Sequence, residues 1–244
     1  MSSWARISGL VFDTLRQLFI GAVSNNMERT PRHLVLDFGG VITRSLFENR
    51  TVVEELYRLP KGTLGWYGPF DPPSDELWQR YLVGAISERQ YWYRRCQELE
   101  QLVGQAITIN RLVKDLRGYR STIRPEAISL IDCCKNQGRK VGLLTNELEL
   151  FHGPEVYDVF PVLSKMDSIV DATHTHVLKP DRRAYQLAVD ELGEGRDSIV
   201  FVDDQQRNVL GAEALGIRSI HIDITRPTAG FTAVYEALQL DSGD

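Results

Sequence analysis

The chain has 244 residues, a formal charge of −5, 43% hydrophobic and 25% charged residues. That is the composition of a globular domain, or of a domain with one insertion. Lys and Arg never cluster beyond a pair, which argues against nucleic acid as a partner. The 3 cysteines, two of them adjacent at Cys133 and Cys134, make neither a disulfide framework nor a CxxC metal knuckle, so a reducing, cytoplasmic setting is expected.

In residues 1–32, Trp4, Ile7, Val11, Leu15, Leu18 and Ala22 recur at helical spacing and make one apolar stripe. Arg6, Asp13 and Arg16 interrupt the stretch, so it is neither a clean signal peptide nor a spanning helix. A loosely attached helix packed on the domain is the favoured reading; a dimer or membrane-surface helix and a non-native leader before Met27 compete with it. Asp13 ends a strand-like phrase without glycines and reads as a decoy.

The run His33-Leu-Val-Leu36 fits a short strand buried on both faces. It stops at Asp37 and is followed by Gly39 and Gly40, which permit a sharp turn and close approach to a ligand. A carboxylate at the C-terminal end of such a strand lies where open α/β sheets bind ligands.

From about 46 to 122 the pattern is helical. Val52, Val53, Leu56 and Leu59 share a face, as do Leu77, Trp78, Tyr81 and Leu82. Ser87 to Gln90 reads as a helix cap. Between them runs a Gly-, Pro- and aromatic-rich loop, in which Trp66 and Tyr67 are candidates to face a substrate. Trp78 and Trp92 read mainly as core.

Strands and helices alternate from 123 onward. Expected strands are Lys140–Leu144, Ser168–Val170, Ser198–Val202 and Ser219–Ile222; expected helices open at Pro125, Arg183 and Arg207, with a last one over 225–239. Such alternation implies a Rossmann-like, doubly wound parallel α/β sheet with an inserted α-helical cap. The expected division is 1–32 as an extension, 33–45 with 123–244 as the core, and 46–122 as the cap.

Polar groups follow the strand ends: Asp37, Thr145-Asn146 and Asp203-Asp204, with Lys179 opening a helix beside them. Strand C-terminal ends of a parallel sheet share one edge, so these sets converge. Three close carboxylates repel unless a cation lies between them, and all-oxygen ligation suits Mg²⁺. A hydroxyl, an amide and a lysine around a metal would cradle a phosphoryl group.

These four stretches, Asp37-Phe-Gly-Gly-Val-Ile, Leu143-Leu-Thr-Asn146, Lys179-Pro-Asp181 and Phe201-Val-Asp-Asp-Gln-Gln-Arg-Asn208, resemble in order the motifs of the haloacid dehalogenase superfamily. The helical insertion is placed like the cap of its subfamily I. The resemblance implies Asp37 as the nucleophile, forming an aspartyl-phosphate, and Asp37, Asp204 and the Gly39 carbonyl as Mg²⁺ ligands. It implies Asp203 acting through water or from behind, with Asn208 bracing its loop. Thr145 and Lys179 would bind phosphoryl oxygens, and Asn146 would orient the transferring group.

One departure stands out. Most phosphatases of the superfamily carry an acid/base Asp two residues after the nucleophile, where this chain has Gly39. Phosphatases similar to those acting on sugar-1-phosphates share that glycine. Glu147, Arg44 or a cap residue are the candidate replacements. The expected activity is hydrolysis of a small phosphorylated metabolite. The alternatives are a metal-independent 2-haloacid dehalogenase, which needs no acid at 39 but typically lacks the Asp203-Asp204 pair, and a non-catalytic binding module. Two copies could pair through the cap or the N-terminal helix. His174 and His176 lack a third metal ligand in pattern, Cys96, Cys133 and Cys134 read as core, and Asp181 reads as a helix cap.

Overall fold

The computed structural model describes residues 30–240, so the stripe over 4–22, Asp13 and the tail after 240 lie outside the described residues. Five parallel strands, β1 (His33–Leu36), β2 (Val141–Thr145), β3 (Ser168–Asp171), β4 (Ile199–Asp203) and β5 (Arg218–His221), form one sheet in the order β3-β2-β1-β4-β5. The strand that leads into Asp37 is therefore central, flanked by the strands that end in Thr145 and Asp203.

Both faces are covered because side chains alternate along each strand. Leu34, Leu36, Val141, Leu143, Val200 and Val202 point to one face. There they meet α5 (Pro125–Asn136) and α9 (Pro227–Leu238). Val35, Leu144, Ile199 and Phe201 point to the other, against α7 (Arg182–Leu192) and α8 (Gln206–Glu213), while a short α6 (Leu148–His152) follows β2. Each such Leu or Phe buried from water contributes about 1.5–3 kcal/mol. Pro125 starts α5, where its missing N–H costs nothing. Asp181 accepts from the Arg183 N–H and caps α7.

The segment after Thr43 contributes no strand to this sheet. It forms α1 (Arg50–Leu56), α2 (Glu76–Leu82), α3 (Glu88–Val103) and α4 (Ile109–Tyr119), with an apolar cluster of their own around Val53, Trp66, Tyr91, Leu99 and Leu112. Ser87 and Gln90 complete a reciprocal capping box on α3. Where this segment leaves and rejoins the sheet layer, Thr43 and Ile123 form an antiparallel bridge, and Arg44 N–H donates to Thr122 O at 2.7 Å. Two short crossing segments thus join the helical part to the sheet. Polar links also span them: Tyr81 Oη donates to Gln205 Oε1, Gln205 Nε2 to Glu88 Oε2 at 2.8 Å, and Arg89 Nη2 to Glu147 Oε2 at 3.0 Å.

Candidate active site

Register brings the polar strand ends together. Leu36 pairs with Val202 on β4, so Asp37 lies level with Asp203; Leu36 also pairs with Leu143 on β2, so Thr145 lies one step beyond Asp37. The backbone then turns over Phe38–Ile42 and clears the sheet edge. Gly40 makes that turn with φ +73°, and a Cβ there would lie 2.3 Å from Asp204 Oδ2. Only glycine fits. Gly39 differs: its φ is −69°, and a Cβ would meet nothing within 4 Å.

Lys179 is the hub. Its Nζ lies 2.9 Å from Asp37 Oδ1 and 2.7 Å from Asp203 Oδ2, and donates to Leu144 O at 2.9 Å. Burial alone would lower its pKa, but Asp203 and Asp37 outweigh burial and hold the ammonium above its ordinary value. Asn146 holds the lysine backbone: Lys179 N–H donates to Asn146 Oδ1 at 2.7 Å, and Asn146 Nδ2 donates back to Lys179 O at 3.2 Å. The amide expected to orient the transferring group is thus spent, in this arrangement, on positioning Lys179. Thr145 is buried and lines the cavity above Asp37.

Asp203 is saturated. Besides Lys179 it accepts from Gln205 N–H at 2.8 Å and from Asn208 Nδ2 at 3.0 and 3.2 Å. Asp204 contrasts with it. Its backbone oxygen meets His221 Nε2 at 2.9 Å, but among the described residues its carboxylate has no hydrogen-bond or ion-pair partner. One oxygen from each of Asp37, Asp203 and Asp204 falls within 4.8 Å of the others. Burial pushes Asp37 up to about 7 against the pull of Lys179, with Asp203 adding to the rise. Burial, then Asp203 and Asp37, push Asp204 well above the usual carboxylate range. Three carboxylates face one ammonium. An all-oxygen donor set with an unpartnered carboxylate fits a divalent cation.

The site opens into a cavity of about 460 Å³ between the sheet edge and the helical segment. Asp37, Gly39, Thr145, Asn146, Lys179 and Asp204 line it together. Trp66 and Tyr67, expected at a substrate, do not. Trp66 is 1% exposed and packs edge-on to Trp92, and Tyr67 stacks under Arg50 at 4.5 Å. Buried Asp75 anchors this loop by accepting from the Gly68 N–H at 2.9 Å and the Tyr91 hydroxyl at 2.8 Å. That turns Trp66 into the cluster. Trp78 and Trp92, read as core, do pack in the helical cluster but also present ring surface to the cavity.

Arg124 belongs to none of the four motifs, yet it supports the site. It is buried, donates from Nε to Gly40 O at 3.1 Å, and pairs through Nη2 with Glu48 at 2.6 Å. It thereby holds the turn that follows Asp37. Its only local signal was a position just before Pro125. Glu147 lines the cavity but is held by Arg89, while burial raises its pKa. His174 pairs with Glu149 at 2.7 Å, and among the described residues no His or Cys joins a metal-binding group. Burial pushes the Cys96 and Cys134 thiols up to about 12, so both stay protonated and inert.

The haloacid dehalogenase-like hydrolase family profile matches residues 31–216, which span the whole sheet except its last strand. The chain belongs to the haloacid dehalogenase-like hydrolase family. It is 26% identical over 207 residues to mouse (Mus musculus) acyl-CoA dehydrogenase family member 10, covering 80% of this chain and 18% of that one. It is 30% identical over 99 residues to phosphatase MT3486 of Mycobacterium tuberculosis, covering 41% of this chain and 46% of that one. The chain therefore spans less than half the length of either relative. The fold matches the L-2-haloacid dehalogenase RSc1362 with a TM-score of 0.55 at 18% identity, over 80% of this chain and 87% of that one. It also matches the structure of a HAD phosphatase from Thermococcus onnurineus, with a TM-score of 0.51 at 17% identity, over 78% of this chain and 86% of that one. Among the described residues no helix is long and apolar enough to cross a membrane.

Proposed function

We propose that this family hydrolase is a Mg²⁺-dependent phosphomonoesterase acting on a small organic phosphate through an aspartyl-phosphate on Asp37. The observation that carries the reading is the Asp204 carboxylate, drawn close to two others and left without a protein partner. A dehalogenase working without metal would leave this partly buried carboxylate, crowded by Asp37 and Asp203, without a counter-charge of its own. A cation supplies that counter-charge, and phosphoryl transfer is the family chemistry that uses one. The relatedness to a phosphatase agrees with this.

Asp37 and Asp204, with the Gly39 carbonyl, would hold the ion, and Asp203 would keep Lys179 and the loop in place behind them. Bound there, the ion would neutralise charge on the phosphoryl group and allow a carboxylate to approach it. Lys179, fixed by Asn146, Asp203 and Leu144 O, presents a permanent positive charge to the phosphoryl oxygens without reorganisation. Asp37 attacks phosphorus, the ester P–O bond breaks, and the alkoxide leaves. Water then cleaves the acyl-phosphate and restores the carboxylate. Position 39 supplies no proton to the leaving group, and Glu147, which lines the cavity, is one carboxyl that could.

A phosphate-release screen over a metabolite panel, with and without Mg²⁺, tests the reading. Turnover should appear with Mg²⁺, stop with chelator, and vanish in Asp37→Asn while the circular dichroism spectrum is unchanged. Activity indifferent to chelation, or retained in Asp37→Asn, overturns it. Halide release from 2-haloacids without metal would establish the dehalogenase alternative.

A further inference from the structure

The cavity changes character away from the phosphoryl cradle. Asp37, Lys179 and Asp204 line it at the sheet edge, whereas the helical segment gives it an apolar wall. Trp78 and Leu82 of α2, Trp92 of α3, and Val113 and Leu116 of α4 belong to that wall, with Phe47 from the loop before α1. The rings brace one another: Phe47 lies edge-on to Trp78 at 5.1 Å and tilted against Trp92 at 4.8 Å. Leu82 is 60% exposed, so the apolar lining continues to the cavity mouth. The volume of about 460 Å³ is that of a site enclosing a whole small molecule rather than a phosphate alone.

The hydroxyl and carboxylate groups of α2 and α3 that line the cavity are already engaged. Tyr91 Oη donates to the buried Asp75 at 2.8 Å, Tyr81 Oη donates to Gln205 Oε1, and Glu88 accepts from Gln205 Nε2 at 2.8 Å. Gln205 Oε1 also accepts from Arg207 Nε at 3.1 Å, so that amide is used at both ends. A ligand hydroxyl laid against this wall would either lie unpaired or break one of these bonds, and both outcomes weaken binding. A methylene laid there gives up no hydrogen bond and leaves water.

We infer that the substrate is the phosphate monoester of an apolar alcohol, a lipid-like alkyl or arylalkyl phosphate, with its phosphoryl group at Asp37 and Lys179 and its body along Phe47, Trp78 and Trp92. The inference rests on the phosphomonoesterase reading and narrows its substrate class away from sugar phosphates. Hydrolysis would consume one water and release the free alcohol and inorganic phosphate. The alcohol would gain nothing from the charged end of the site once its phosphate is gone, and the wall alone would hold it.

The test is a series of unbranched primary alkyl phosphates from ethyl to dodecyl, below their micelle thresholds, with hexitol 6-phosphate beside hexyl phosphate. Primary alkanols are of nearly equal acidity, so the series varies apolar length alone. In wild type kcat/KM should rise about fourfold per methylene, the value for burying one CH₂, until the cavity is filled. The rise should sit in KM. Hexyl phosphate should exceed hexitol 6-phosphate by at least about tenfold, the cost of burying a hydroxyl without a partner. Val113→Phe narrows the cavity and should bring the plateau to a shorter chain; Trp78→Ala should flatten the rise. Each ratio of long to short ester is taken within one variant, so a loss of general activity does not affect it. Calorimetric titration of the series into Asp37→Asn, with and without Val113→Phe, reads the length dependence without turnover. If no ester is hydrolysed but affinity still climbs with chain length and Val113→Phe shortens the climb, the phosphatase reading fails and the apolar subsite stands. If esters are hydrolysed at rates indifferent to chain length, if hexitol 6-phosphate matches hexyl phosphate, or if both variants leave the rise intact, the apolar subsite is refuted. Neither turnover nor length-dependent binding would overturn both.

Discussion

Substituting Gly39 by Asp should convert a slow, leaving-group-sensitive enzyme into a faster and less sensitive one. The backbone at Gly39 has φ −69° and ψ 135°, an ordinary extended conformation, and the new Cβ would meet no atom within 4 Å. The substitution therefore carries no steric cost. Loss of glycine's freedom in the unfolded chain would favour folding by about 0.4–1 kcal/mol, set against one more carboxylate near three others. The gain expected for alkyl esters is that of a general acid, about 10²- to 10⁴-fold. Aryl esters leave as weakly basic phenolates and should gain little. The assay is kcat/KM over a series of aryl and alkyl phosphates plotted against leaving-group pKa. Wild type should show a steep negative slope and Gly39→Asp a shallow one. A flat wild-type plot would refute the reasoning, because a proton donor would already be present; Glu147→Gln would then show whether Glu147 is that donor. Gly40→Ala is the control for position: with φ +73° and Asp204 Oδ2 at 2.3 Å from the new Cβ, it should lose activity and stability together.

Asp204→Asn should raise the metal-free melting temperature at pH 7. The folded-state pKa of Asp204 lies above its unfolded value, so ionising it in the fold is unfavourable, and that penalty grows as pH rises. Mg²⁺ should stabilise wild type more than this variant in differential scanning fluorimetry; equal shifts would remove Asp204 from the metal site. Burial lowers His152 from 6.5 to about 4, so its contribution should be present above pH 6.5 and be lost as pH falls toward 4. That difference corresponds to about 3 kcal/mol; urea titrations at pH 7 and pH 4 should show it, and His152→Leu should lose less between the two. Lys179→Met leaves Asp203 buried without its cation and should cost about 3–5 kcal/mol, read by urea denaturation; a loss under 1 kcal/mol would mean Lys179 is not the charge that balances the cluster.

The strands and the polar residues at their ends were legible because their signals are local. Apolar runs of three or four residues, each closed by Asp37, Thr145 or Asp203, follow from a strand buried on both faces that must stop where the sheet meets solvent. Parallel topology then forces those ends onto one edge, so the convergence of Asp37, Thr145, Lys179, Asp203 and Asp204 was determined by the sequence. Side-chain direction across long separations was not. Trp66 turns inward because Asp75 pulls its loop into the helical cluster, while Trp92 reaches the cavity from a helix whose pattern reads as core. Asn146 serves Lys179, 33 residues away; Arg124 serves Gly40, 84 residues away. Asp203 and Asp204 are adjacent and chemically alike, yet one is saturated and the other unpartnered. Successive residues at a strand end face opposite ways, and only the packed neighbours on each side decide which carboxylate supports the fold and which is left for a ligand.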